Sequence, residues 1–268
     1  MKTQSIVCTF FIFITTFSVS AQTKKNIPAS QIEFQSSEYK NKMFYLASHY
    51  GKYQTLLDSV KGTNDGKLVF KKDQKYVEGI YMLVTPDKKI ELEFMMDANQ
   101  KFSIQVTNPT DKTVAISNSI LNQDFNAFNS FFKTKMEGMK ALEKNLADKK
   151  TKQDSAIVIQ DLKKIQSEIN LYKNNYIQAN PENTLALLFR MSQPIDNFLN
   201  KSAEEKLATK TDSIAYLKKH FFDGINFKDN RLLRNPFLEN RITTYFNTFV
   251  PVTPEAVTAE INQILNQT

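Results

Sequence analysis

The stretch of sequence that decides the fold is residues 114–146, VAISNSILNQDFNAFNSFFKTKMEGMKALEKNL. Up to Asn118 apolar residues alternate with polar ones, which is the period of a β-strand. Beyond Asn118 apolar residues recur every three or four positions, which is the period of an amphipathic α-helix. The recurring residues are Leu121, Phe125, Phe128, Phe132, Met136, Met139, Leu142 and Leu146. The sequence therefore predicts a β domain that gives way to a helical domain near residue 118.

The part of the chain before this change is predicted to be a β domain over residues 22–118. Short apolar runs, broken by turn residues, mark strands. The runs lie at residues 32–34, 43–46, 56–57, 68–70, 79–84, 90–96, 102–106 and 114–116. Asn64-Asp65-Gly66 is a hairpin signal directly before the fourth run. Strands at this spacing, without intervening helices, predict an antiparallel β-sandwich or open barrel.

The part after the change is predicted to be a helical domain over residues 119–268. A second helical repeat carries Val158, Leu162, Ile165, Ile169, Tyr172 and Tyr176. The polar residues 148–153 lie between the two repeats, and Asp154 or Ser155 could cap the second helix. Two long amphipathic helices joined by a short link predict an antiparallel helical hairpin. Shorter helices are predicted at 184–191, 203–220, 237–248 and 254–266. The fold class is therefore α+β.

The N-terminus is typical of a secretory signal peptide over residues 1–21. Lys2 precedes an apolar stretch at residues 6–17, and Val19-Ser20-Ala21 forms a cleavage site. The apolar stretch is short for a transmembrane helix. Cys8 lies inside it rather than at the cleavage point, which disfavours a lipoprotein signal. We expect export to the periplasm or the outside, and a mature chain without cysteine, which excludes thiol catalysis and disulfides.

The charge pattern disfavours nucleic acid as a partner. The chain carries a net charge of +7, with lysines interleaved among acidic residues and arginine at four positions alone, Arg190, Arg231, Arg234 and Arg241. Nucleic-acid-binding proteins usually cluster their basic residues on one face. At most a weak attraction to anionic membrane surfaces is expected. Glycine is scarce and forms no phosphate-binding loop, so no cofactor is predicted.

Neither a metal site nor a catalytic constellation is predicted. The chain has two histidines, His49 and His220, which lie in different predicted domains. Ser59, His49 and Asp58 provide the residue types of a catalytic triad, but neighbouring strand residues point to opposite faces of a sheet. No glycines of a nucleophile elbow surround the serine. We therefore expect no catalytic residue in this chain.

One charged cluster is a candidate site. It consists of Asp223, Asp229, Arg231, Arg234 and Glu239. Arginine can hold carboxylates through two parallel hydrogen bonds and can brace irregular backbone. Two interpretations remain open, an ion-paired loop that holds two helices together and a ligand-binding site.

The two-part layout resembles the N-terminal β-rich and helical domains of exported bacterial thioredoxin-like thiol–disulfide oxidoreductases. The resemblance extends over nearly all of the predicted mature chain. In the β domain it rests on Tyr45-Leu46, Tyr50-Gly51, Leu57-Asp58-Ser59, Asp65-Gly66 and Gly79-Ile80-Tyr81. In the helical domain it rests on Asn180-Pro181-Glu182-Asn183, His220-Phe221-Phe222-Asp223 and residues 229–236, DNRLLRNP.

The resemblance implies an accessory role. Such oxidoreductases carry a Cys-x-x-Cys motif in a C-terminal thioredoxin domain, and this sequence reaches Thr268 without one. It also ends where the helical domain of such proteins usually continues. We therefore expect a non-catalytic exported module for binding or positioning. The alternatives are a redox accessory protein that acts through a separate thioredoxin-fold partner, and a fragment of a full-length oxidoreductase. The expected partner is a thioredoxin-fold protein or another envelope protein.

Overall fold

The computed structural model describes residues 28–147, 152–193 and 210–266. The predicted signal peptide and the first part of the predicted helix at 203–220 lie outside the described residues. In the described ranges, an N-terminal β region is followed by a helical region, as the change of period predicts. Within them, no helix combines the length and the apolar character needed to cross a bilayer.

The β region consists of two four-stranded sheets. Its strands are β1 (Ser30–Gln35), β2 (Met43–Tyr50), β3 (Tyr53–Lys61), β4 (Lys67–Lys72), β5 (Gly79–Val84), β6 (Ile90–Met96), β7 (Lys101–Asn108) and β8 (Thr113–Ser117). Sheet A has the order β4-β1-β7-β8, and sheet B has the order β3-β2-β5-β6. Eight strands were expected from the alternating runs, and eight are present in the described residues.

The two sheets face each other across one apolar core. Ile32 and Phe34 of β1 and Phe102 of β7 come from sheet A, and Leu46 of β2 and Phe94 of β6 come from sheet B. Each of these side chains is at most 3% exposed. Because alternate residues of a strand point to opposite faces, this single layer of inward side chains makes the β region a sandwich.

Two features of the sandwich differ from the prediction. Strands β1 and β7 pair in parallel, whereas the other ladders are antiparallel. The Asn64-Asp65-Gly66 turn joins β3 of sheet B to β4 of sheet A, so the predicted hairpin is wrong. The turn itself forms, with hydrogen bonds between Thr63 and Lys67 in both directions. Strand pairing differs because it is decided by long-range partners rather than by the turn.

The helical region begins with a long antiparallel hairpin. Its helices are α1 (Ile120–Ala147), α2 (Lys152–Ala179), α3 (Thr184–Met191), α4 (Lys210–His220), α5 (Leu238–Phe249) and α6 (Pro254–Leu265). Phe131 stacks on Tyr172 at 4.9 Å between ring centroids, and Lys135 forms a salt bridge with Glu168 at 2.5 Å. These contacts confirm the predicted hairpin. The predicted N-caps of α2 are wrong, because the helix starts at Lys152 and contains Asp154 and Ser155.

The helical region packs on the outer face of sheet B. Ile80 of β5 and Met95 of β6 point away from the sandwich core and join Leu121, Phe125 and Phe189 in a second apolar cluster. At the other end, Val257 and Ile264 of α6 pack in a cluster with Phe221, directly after α4, and Tyr245 of α5. Ile261 and Leu265 of the same helix are exposed. The predicted apolar face of α6 is therefore covered along one side.

A first prediction tests the seam of the hairpin. A β-carbon added at Gly138 of α1 would lie 3.6 Å from Cδ1 of Ile165, which places that half-buried side chain in the α1–α2 contact. We expect Ile165→Asp to lower the free energy of unfolding by about 2–4 kcal/mol, because it introduces a carboxylate into an apolar seam. Urea unfolding followed by circular dichroism measures the loss. Gln166→Asp, at the exposed neighbour, is the control, and equal stability of the two variants would contradict this packing.

Candidate functional site

The cluster predicted from Asp223, Asp229, Arg231, Arg234 and Glu239 does not form one site in the structure. Asp229 and Arg231 form a bidentate ion pair, with Nη2 of Arg231 2.6 Å from Oδ2 of Asp229. Burial alone would raise the pKa of Asp229, but the hydrogen bonds and charge of Arg231 hold it below its usual value. Arg231 also donates to the carbonyl oxygen of Glu182, just before α3. This pair therefore braces the short 3-10 helix Asn230–Arg234 against α3.

Arg234 fastens the same 3-10 helix to sheet B. Its Nη1 donates to Oγ of Ser48 at 2.8 Å and to the carbonyl oxygen of His49 at 3.3 Å. Gly51 donates its backbone N–H to the carbonyl oxygen of Leu233, next to Arg234, at 2.9 Å. These contacts join the helical region to the end of β2. The structure thus places Arg234 at the junction of the two regions.

The two other predicted residues form separate surface pairs. Asp223 accepts a hydrogen bond from Nδ1 of His220 at 2.8 Å, just after α4. Glu239 lies 3.4 Å from Nζ of Lys52, and both side chains are largely exposed. Among the described residues, no group of three histidine, cysteine, aspartate or glutamate side chains is arranged to hold a metal ion. Asp58 of the hypothetical triad accepts from the hydroxyl of Tyr76.

His49 leads to a second prediction. Its side chain is 9% exposed on β2, its Nε2 makes no hydrogen bond in the described structure, and burial lowers its pKa below 6.5. A lowered pKa means that the folded state favours the neutral ring. The neutral His49 ring thus makes its full contribution to stability above the pKa of the unfolded state, about 6.5. That contribution is lost as the pH falls through the lower pKa of the folded state.

The measurement is an NMR pH titration of the imidazole protons, with His49→Gln used to assign the signal. We expect a midpoint below 6.5. A midpoint at or above that value would show that the ring is solvated.

One cavity in the described part of the chain is a cleft that the sequence analysis did not predict. It has a volume of about 550 Å³ and lies between α1 and the edge strands of both sheets, β6 and β8. In the described part of the chain, each of these strands pairs with one neighbouring strand and has no strand partner on its other side. We call this cavity the edge cleft.

Two amide side chains fasten α1 at one end of the edge cleft. Asn122 is 2% exposed; its Oδ1 accepts from the backbone N–H of Met95 at 2.7 Å, and its Nδ2 donates to the carbonyl oxygen of Met95 at 2.9 Å. Ser119 accepts from the same Nδ2 and so orients the amide. Gln123 donates to the carbonyl oxygen of Ile116 on β8 at 2.9 Å. Asn122 thus pairs with β6 as a further strand would.

A lysine closes the opposite end of the edge cleft. Lys112, in the turn between β7 and β8, donates to the carbonyl oxygen of Glu91 at 3.0 Å and to its carboxylate at 2.9 Å. The hydroxyl of Tyr39 donates to the other carboxylate oxygen of Glu91 at 3.3 Å. The two sheets are therefore tied together at this end.

The middle of the edge cleft exposes backbone that can accept a partner. In an antiparallel ladder, alternate residues direct their N–H and C=O groups to opposite sides. Met95 directs both groups away from β5, toward Asn122. Glu93, two residues earlier and in regular register with Met82 of β5, therefore presents its N–H and C=O to the cleft.

The wall of the edge cleft is acidic in a chain that is basic overall. Four carboxylates and two ammonium groups line it. They are those of Glu91, Glu93, Asp111 and Glu137, and of Lys112 and Lys133. The Glu93 side chain is exposed to solvent, yet desolvation by the surrounding protein raises its pKa. The cleft therefore favours a partner segment that carries positive charge.

Few features of the sequence indicate this site. Ser119-x-x-Asn122 has the residue types of a helix start, and Asn122 is a polar residue within the first turn of α1. Nothing in the local pattern distinguishes an asparagine that binds a distant strand from one that faces solvent. The contact joins residues 27 positions apart in the chain.

Comparison with known proteins identifies a match in the C-terminal part of the chain. No curated protein matches the sequence. Residues 202–268 match a family model described as a domain of unknown function, DUF5106. Within the matched range the structure describes α4, the 3-10 helix Asn230–Arg234, α5 and α6. The similarity to this uncharacterised domain therefore covers the last part of the helical region, including the predicted cluster at residues 223–239.

Proposed function

We propose that this chain is an exported, non-catalytic binding module that positions a thioredoxin-fold partner. In this role it corresponds to the accessory N-terminal half of the thioredoxin-like oxidoreductases that it resembles. The observation that carries the proposal is the edge cleft, because it combines unpaired strand backbone with an acidic wall and fixed ends. The partner enters the cleft with an extended, basic segment.

The geometry supports this mode of binding in physical terms. An extended segment that lies along β6 adds a strand to sheet B, and its main chain forms hydrogen bonds with the N–H and C=O of Glu93. Each such bond contributes on the order of 1 kcal/mol. Fixed ends lower the conformational entropy that binding would otherwise cost. The carboxylates then select for lysine or arginine through electrostatic complementarity.

Export and the absence of redox chemistry are part of the same proposal. Its support is the signal-like sequence of residues 1–21, which contains Cys8, the single cysteine of the chain. Residues 22–268 then have no thiol for disulfide exchange. We expect residues 22–268 to leave the rate of insulin reduction by dithiothreitol at the uncatalysed value. Acceleration by the purified protein would contradict a non-catalytic role.

A binding experiment tests the proposal itself. The probe is the thioredoxin domain of an exported thioredoxin-like oxidoreductase from the organism that encodes this chain, titrated by isothermal calorimetry. We expect saturable binding that weakens as salt is added. The double variant Glu93→Lys, Glu137→Lys should weaken it by about tenfold or more, because it reverses two charges of the cleft.

The matched control is Glu143→Lys, Glu255→Lys. It makes the same change of charge at exposed positions outside the edge cleft and should retain the original affinity. Equal weakening by both double variants would assign the effect to net charge alone. Absence of binding to the probe would reject the thioredoxin-fold partner.

A further inference from the structure

A second cavity lies beside α1 and has a different chemical character from the edge cleft. It has a volume of about 360 Å³ and is lined mainly by apolar side chains from β5, α1 and α3, together with the segment before α5. Five phenylalanines form much of its wall: Phe125, Phe128, Phe132, Phe189 and Phe237. Volumes in this range and walls of this kind are typical of small-molecule sites. We call it the phenylalanine cavity.

The phenylalanine cavity has a cation on its wall. Nζ of Lys173 lies 5.9 Å from the ring centroids of both Phe128 and Phe189 and donates to Oγ of Ser192 at 3.0 Å. No salt bridge links Lys173 to a carboxylate in the described ranges. Desolvation by the surrounding protein lowers its pKa, so the ammonium group is incompletely hydrated. An ammonium group that is half-buried and incompletely hydrated gains from an anionic partner.

The mouth and the floor of the cavity suit a molecule with an apolar body. Phe125, Phe128 and Phe189 are at most 7% exposed and form the floor, whereas Phe132 and Phe237 are each 37% exposed and lie at the surface. Ser192 donates its own hydroxyl proton to the carbonyl oxygen of Phe189. The hydroxyl is therefore fixed as the acceptor for Lys173, and it holds the ammonium group at the cavity wall.

We infer that the phenylalanine cavity binds a small amphipathic carboxylate, with its apolar body among the phenylalanine rings and its carboxylate on Nζ of Lys173. The cavity also contains Glu93 on its wall. The Glu93 carboxylate repels an anionic ligand and so lowers its affinity. Removal of this charge is therefore a second test of the inference. This inference does not depend on the proposed partner of the edge cleft.

The test is isothermal calorimetry of residues 22–268 with sodium octanoate as the probe. Octylammonium and acetate serve as controls for the charge and for the apolar body. We expect saturable binding of octanoate alone. Lys173→Met should weaken it by about tenfold or more, the value of a hydrogen bond to a charged group. Lys163→Met, at an exposed lysine of the same helix, should have no effect.

Two further variants separate lost charge from disturbed packing. Lys173→Arg should retain octanoate binding because it keeps the cation, and Glu93→Gln should bind octanoate more tightly because it removes the opposing carboxylate. Thermal melts establish that each variant is folded. Equal binding of octanoate and octylammonium, unchanged affinity in folded Lys173→Met, or no binding of octanoate would each overturn the inference.

Discussion

Gly79→Ala should lower the free energy of unfolding by about 2–6 kcal/mol, as the sum of backbone strain and overpacking. Gly79, the first residue of β5, has φ of +147°, which non-glycine residues rarely adopt. A β-carbon at this position would lie 2.2 Å from Cβ of Arg234 and 3.1 Å from its Cγ. The substitution therefore forces the 3-10 helix Asn230–Arg234 away from sheet B. Urea unfolding of the two proteins measures the loss.

A double-mutant cycle separates strain from the clash. Arg234→Gly removes the β-carbon that Gly79→Ala would meet, whereas Arg234→Ala removes the hydrogen bonds to β2 but keeps that β-carbon. We therefore expect Gly79→Ala to cost much less in the Arg234→Gly background than in the Arg234→Ala background. Equal costs in both would show that the two regions do not meet at this contact.

Asn122→Asp should destabilise the folded protein by about 2–4 kcal/mol at neutral pH. The new carboxylate would still accept a hydrogen bond from the N–H of Met95. Its second oxygen would face the carbonyl oxygen of Met95, which in the native protein accepts a hydrogen bond from Nδ2 of Asn122. Because the site is buried, water does not screen this repulsion between the two oxygens, and the contact that fastens α1 to β6 is weakened. Asn129→Asp, an exposed site seven residues along the same helix, should be nearly neutral.

The pH dependence of the stability of Asn122→Asp tests specifically whether this side chain pairs with β6. A protonated carboxyl can donate to the carbonyl oxygen of Met95 and so restore both hydrogen bonds of the native amide. Its folded pKa should therefore exceed the ordinary value of about 3.9. The loss of stability relative to the native protein is then absent below the pKa of the unfolded state. It develops as the pH rises through the higher pKa of the folded state. A deficit independent of pH would show that the amide does not pair with β6.

The local elements of this fold were predictable because hydrophobic periodicity is a short-range signal. The alternation of Ile32 and Phe34 and the three- and four-residue steps from Leu121 onward identify strands and helices without knowledge of their partners. Pairing between strands depends on residues far apart in the chain. For that reason the alternation does not reveal the parallel β1–β7 pair, and the turn at Asn64-Asp65-Gly66 joins strands of different sheets instead of a hairpin.

The candidate site was harder to predict for the same reason. Asp229 and Arg231 are two residues apart, and their pairing agrees with the expectation of an ion-paired loop. Arg234 instead contacts Ser48, 186 positions earlier, and no local pattern indicates that partner. The edge cleft depends on the Asn122–Met95 contact in the same way. A site at the junction of two regions can be identified only from a structure that contains both regions.

The central claim, that the edge cleft is the recognition surface, has a structural rival. Strand β3 forms the opposite edge of sheet B and exposes Tyr53, Leu56 and Leu57. An open edge strand with apolar side chains can also pair with another chain. The two surfaces lie on different strands, so residue-resolved amide exchange distinguishes them.

The most direct measurement is hydrogen exchange by NMR on residues 22–268, with and without a saturating amount of the thioredoxin domain used as the probe. An added strand along β6 would give the N–H of Glu93 a hydrogen-bond acceptor, so that amide should exchange markedly more slowly in the complex. Amides of β3 should keep their exchange rates. Protection of β3 with unchanged exchange at Glu93 would contradict the claim, because the partner would then occupy the opposite edge of the sheet.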